Sequence, residues 1–149
     1  VTTTPAFDRL WFAIRIVLGL IFFWAFIDKV FGLGYATPVG HGWLTGVSPT
    51  LGYLGHATHG PFASIFHSIA GNMVIDWLFM LGLLSVGLSM LTGKFLQLGG
   101  WAGVAMMVLI YVSALPPTTN PVLDEHVVYG LIFAAIAVQA GAKSQSAKK

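Results

Sequence analysis

Asp124, Glu125 and His126 stand together in the stretch NPVLDEHVVY (120–129), at the mouth of the last long apolar run of a 149-residue chain that is only 8% charged. Ionisable groups placed where hydrocarbon begins are costly unless they have partners to meet or work to do. On a helix, Glu125, His126, Tyr129 and Phe133 share a sector of about 100°, with Asp124 at its edge, which makes a proton-accepting face over an aromatic floor. The competing reading is structural: acids in a first helical turn complement the helix dipole, and His and Tyr favour a membrane interface. Two other ionisable residues lie near apolar ends. Lys29 closes the first run, and Asp76 sits about one turn inside the second, deep enough to want a partner. The segment between those runs carries His41, His56, His59 and His67. His56 and His59, with His67, His126 and the acids, form a weak metal-ligating pattern, set against the common case of solvated loop histidines.

The elements that must position these groups follow from composition. Hydrophobic residues make up 56% of the chain, and mean hydropathy is +0.83. That leaves too little polar surface for a soluble domain, so an all-α integral membrane protein is expected. Four apolar runs, about 10–31, 72–91, 98–115 and 121–142, each approach the roughly 20 residues that cross a bilayer. They predict a single four-helix transmembrane domain over 1–142 and a flexible cytoplasmic tail over 143–149. The first run carries Arg15, Asp28 and Lys29 without a small-residue cleavage site, so it reads as a retained span. Cysteine is absent, which removes disulfides, iron–sulfur ligation and thiol relays.

Loop charge sets the expected orientation. With the N-terminus inside, Arg9, Lys94, Lys143, Lys148 and Lys149 lie on the cytoplasmic side and only Lys29 lies opposite, as the positive-inside bias requires. Both termini are then cytoplasmic. The outer half collects Asp28, Asp76, Asp124, Glu125 and every histidine, with a net charge of about −3 when the histidines are neutral. Such a mouth does not attract anions.

The one long connection, 32–71, contains HGWLTGVSPTLGYLGHATHGPF and is expected to act as an outer lid. Its last part predicts an interfacial helix, with Pro61 at the first position and Phe62, Ile65, Phe66 and Ile69 on one stripe. The alternative is a second span that starts early and tilts.

Helical geometry sorts the polar groups further. Arg15, Gly19, Phe22, Phe26 and Lys29 share a stripe, and the two cations lie about 21 Å apart, too far for one site. Asp28 points roughly 100° from Lys29, below Trp24, and is expected to face headgroups. Asn120 and Pro121 predict the start of span four. Gly99 with Gly103, Ser85 with Ser89, and Ala137 with Gly141 have the spacing that lets helices approach closely, within one bundle or in a homo-oligomer.

The segments RIVLGLIFFWAFIDKVFGLG, WLFMLGLLSVGLSMLTG and LPPTTNPVLDEHVVYGLI, with HGWLTGVSPTLGYL and GPFAS in the loop, resemble the DoxX/DoxD family, especially its actinobacterial-type members. The resemblance runs from about Arg9 to Gly141. Arg15, Gly19 and Lys29 match the family's first-helix pattern, and Asn120, Pro121, Asp124, His126 and Tyr129 match its last-helix pattern. It implies a four-helix membrane bundle in a prokaryotic plasma membrane. Some relatives are the membrane subunit of a thiosulfate:quinone oxidoreductase, and many have no assigned activity. A quinone site needs an apolar slot, hydrogen-bond donors and a proton route. Trp24, Trp77 and Phe133 are candidates for the slot, Lys29, His126 and Tyr129 for donors, and Asp76 and Glu125 for the route. Thiosulfate, a dianion, suits the acidic mouth poorly. Nothing resembles a pair of haem-facing histidines within the spans.

Three readings stay open. One is a quinone-linked redox subunit with an outer-face partner subunit. Another is a non-catalytic scaffold or assembly subunit, with ion pairs such as Lys29 to Asp76 as locks. The third is metal handling or cation transport through the outer histidines and acids. The bilayer is the expected partner in each, and nucleic acid in none.

Overall fold

The computed structural model describes residues 4–117, 120 and 122–146. The described chain is helical, without strands among the described residues, and four of its helices are long and apolar enough to cross a membrane. Helix α1 spans Pro5–Phe31, starting five residues before the hydropathy run. Pro5 needs no amide donor in a first turn, and the Thr4 hydroxyl accepts from the Phe7 N–H at 3.3 Å. Gly32, at φ +66°, ends the helix by donating its N–H to the Asp28 carbonyl at 2.8 Å.

The long connection is folded on itself. A 3₁₀ turn, Trp43–Thr45, and a π-helical turn, Tyr53–Ala57, precede the short helix α2, Ala63–Ile69. A short helix is therefore present where the interfacial helix is expected, starting two residues after Pro61. It is separate from the next span: Ala70 leaves helical geometry and Gly71 has φ +73°. An early, tilted start of the second span is thereby ruled out. The expected single stripe divides, with Phe66 and Ile69 turned toward the bundle and Phe62 and Ile65 exposed.

Helix α3 spans Met73–Thr92 and begins at Asn72, whose Oδ1 accepts from the Val74 N–H at 2.9 Å. Helix α4 spans Leu96–Ser113. Helix α5, Glu125–Ser146, starts later than expected and continues four residues past Ala142, into the segment read as a flexible tail. The late start has a local cause. Asn120 Oδ1 accepts from the Val122 and Leu123 N–H groups, closing a turn, and Asp124 Oδ1 accepts from His126 N–H at 3.0 Å as the cap. Asp124 thus takes the role expected of Asn120. Pro121, Lys148 and Lys149, on which expectations also rested, lie outside the described residues.

Small residues set the helix pairs. Helix α1 lies on α3, where a side chain at Gly87 would meet the Phe23 backbone at 2.8 Å. Helix α4 lies on α5, with Gly100 against Ala137 and Gly103 against the Phe133 ring. Ser89 and Gly99 join α3 to α4. The GxxxG spacing is therefore used inside one chain, apart from Ser85, which is exposed and bonds its own helix at Gly82. Phe22 meets Phe133 edge-on at 5.2 Å and carries the core from α1 to α5. Met80, Val86 and Met90 fill it from α3. The outward faces carry Leu20, Leu81, Val108, Leu131 and Val138, apolar surface suited to hydrocarbon.

Candidate functional site

The connection between α1 and α3 forms a roof over one end of the bundle, held by two carboxylates. Asp28 is 1% exposed and accepts from the Thr37 N–H at 2.8 Å and the Tyr35 N–H at 3.3 Å. It does not face headgroups, because the chain doubles back across the end of α1 and covers it. That return brings Gly42 so close that a Cβ would lie 2.6 Å from the Val30 carbonyl oxygen. Asp76 is 5% exposed and accepts from the hydroxyls of Ser48 at 2.8 Å and Thr50 at 2.5 Å. Its partners are hydroxyls from the roof. Asp76 and Lys29 form no ion pair, so the lock expected between them is absent.

Between roof and bundle lies a cavity of about 560 Å³. Its walls are mainly apolar, with Phe66 and Ile69 from α2, Phe79 from α3 and Met106 from α4. Four polar side chains reach it: Lys29, Thr50, Tyr53 and Ser113. The Lys29 ammonium lies 5.9 Å from the centre of the Phe79 ring and makes no hydrogen bond or ion pair with a described residue. The Tyr53 and Ser113 hydroxyls lie 2.9 Å apart, and Ser113 donates to the Ile110 carbonyl at 2.7 Å. Leu78 and Leu109 also line the cavity, although they are 63% and 61% exposed on the outward faces of α3 and α4. The cavity therefore opens sideways, onto the surface suited to hydrocarbon.

Other residues singled out from the sequence lie elsewhere. Trp24 is half exposed and meets Tyr35 edge-on, Trp77 is half exposed against Trp43, and Phe133 is fully buried in the core. None of the three lines the cavity, and they do not form one slot. The reason is directional: each faces a different neighbour, which helical periodicity alone does not disclose. Tyr129 packs at the edge of the core. His126 Nδ1 is 2.8 Å from Asp124 Oδ2, a local pair at the start of α5, while Glu125 is exposed. His56 and His67 are exposed, and His59 lies near the Pro116 carbonyl at 3.4 Å. Among the described residues, no three His, Asp or Glu side chains converge as a metal site would require.

Lys29 and Asp76 are thus at or beside the cavity, and Asp124, Glu125, His126 and Tyr129 do not line it. Thr50, Tyr53 and Ser113 escaped sequence reasoning. Their only signal was hydroxyls within apolar or glycine-rich surroundings, which periodicity does not register. The chain matches no protein-family model, no curated protein and no solved structure.

Proposed function

We propose that this is a multi-pass protein of a prokaryotic plasma membrane, with both termini cytoplasmic, that binds a lipophilic quinone-type molecule as a quinone-linked redox subunit. The cavity carries this reading. Its volume falls within the roughly 300–1,000 Å³ of small-molecule sites, and it is apolar with a few polar groups, as such sites are. Its sideways opening suits a ligand that arrives through hydrocarbon. Lys29 supplies an unengaged donor for a carbonyl oxygen beside aromatic and aliphatic walls. When bound, a quinone supplies two-electron, two-proton redox chemistry. Resemblance of the first and last spans to the DoxX/DoxD family supports the same reading, which leaves the electron partner to another subunit.

One observation favours a second reading, that of a non-catalytic scaffold. Asp28 and Asp76 both hold the roof through hydrogen bonds, which is a sufficient structural reason for them.

A photoreactive quinone analogue, added to the full chain in lipid vesicles, separates the two. Labelling is expected on peptides containing Lys29 or Tyr53 and is competed by unlabelled quinone. Lys29→Met should lower it about tenfold, the worth of a hydrogen bond from a charged donor. Diffuse labelling of the outward faces, unchanged by Lys29→Met, would leave the scaffold reading.

A further inference from the structure

A hydroxyl has one hydrogen to give and lone pairs with which to accept. Ser113 gives its hydrogen to the Ile110 carbonyl, so it is the acceptor in its contact with Tyr53, and Tyr53 is the donor. The hydrogen of Tyr53 is therefore engaged, and Tyr53 Oη can offer the cavity only lone pairs. Thr50 is in the same position, because its hydrogen goes to Asp76 Oδ1. Among the polar side chains that line the cavity, Lys29 alone has free donors. The polar lining thus divides into one donor, on α1, and acceptor oxygens on the roof and at the end of α4.

From this division we infer that the cavity discriminates by the ligand's hydrogen-bonding pattern, holding the dihydroxy form of a quinone-type ligand in preference to the dicarbonyl form. The inference rests on the proposed quinone-type ligand. A dicarbonyl ring presents two acceptors, and Lys29 can satisfy one. Its second oxygen, brought near Tyr53 or Thr50, would meet lone pairs, and an unsatisfied buried polar group costs about a factor of ten or more in affinity. A hydroquinone accepts from Lys29 with one oxygen, and its two O–H groups have the acceptor oxygens of Tyr53 and Thr50 to donate to. Tighter binding of the reduced form raises the potential of the bound couple, by about 30 mV for each tenfold in the two-electron case.

Affinities of a decyl-substituted benzoquinone and its hydroquinone, measured anaerobically on the full chain in detergent, test this. The hydroquinone should bind about tenfold more tightly. Ser113→Ala removes the acceptor that engages Tyr53, freeing its hydrogen, and should narrow or invert the ratio by strengthening benzoquinone binding. Tyr53→Phe should weaken the hydroquinone selectively, and serves if Ser113→Ala does not fold. Equal affinities, tighter benzoquinone binding, or a ratio indifferent to both substitutions in folded protein would overturn the preference while leaving the quinone reading intact. Binding of neither form would overturn both.

Discussion

Asp28 is fully enclosed by the chain that follows it, and its two oxygens receive the N–H groups of Tyr35 and Thr37. Asp28→Ala leaves both amides without their acceptor. An expected loss of about 2–3 kcal/mol follows, seen as a lower unfolding temperature in detergent, whereas Asp28→Asn keeps one acceptor and should lose less. A helical wheel sends this side chain outward because it contains only the helix. The covering segment, 33–42, has no periodicity, so its path over α1 was not legible. Asp76 shows the opposite case. Its depth announced the need for a partner, but the partners are hydroxyls 26 and 28 residues away in the roof. Charge counting favoured Lys29 instead, since opposite charges are the pairing a sequence displays most openly.

At the scale of elements, apolar runs marked all four long helices, each long and apolar enough to cross the roughly 30 Å of a bilayer's hydrocarbon. Their ends were less legible. Side-chain caps decide them, and at the start of α5 two candidates, Asn120 and Asp124, compete within five residues. Small-residue spacing identified close helix approaches but not the partner at each. Gly103 faces the Phe133 ring, where a Cβ would lie 2.6 Å from it, and Ser85 with the same kind of spacing faces outward. Gly103→Leu should therefore separate α4 from α5 and cost about 1–3 kcal/mol or more by overpacking. Ser85→Leu should be nearly neutral. Thermal melts of the two variants in the same detergent check the contrast, and equal losses would contradict this assignment of faces.

For the whole molecule, the opposite ends of the bundle differ in character: the roof and its cavity at one, Lys94 and Lys143 at the other. With both termini cytoplasmic, as proposed from the positive-inside bias, the roof would lie outside the cell. The absence of cysteine permits a direct test by single substitutions read with an impermeant maleimide. Val39→Cys, 76% exposed in the roof, should react in intact cells, and Ser144→Cys only after lysis. The reverse pattern would invert the topology. Hydropathy foretold the bundle and the polar end of it, but the cavity depends on where the roof settles, and that depends on bonds between residues far apart in sequence.

Those bonds also impose an order in time. The roof is fastened first to Asp28, just before it in the chain, then to Asp76 on the following long helix, and last to Ser113. On an emerging chain each fastening becomes available only as its span is synthesised. The roof can therefore close like a zipper from its N-terminal side, and the cavity acquires its Tyr53–Ser113 hydroxyl pair only when α4 arrives.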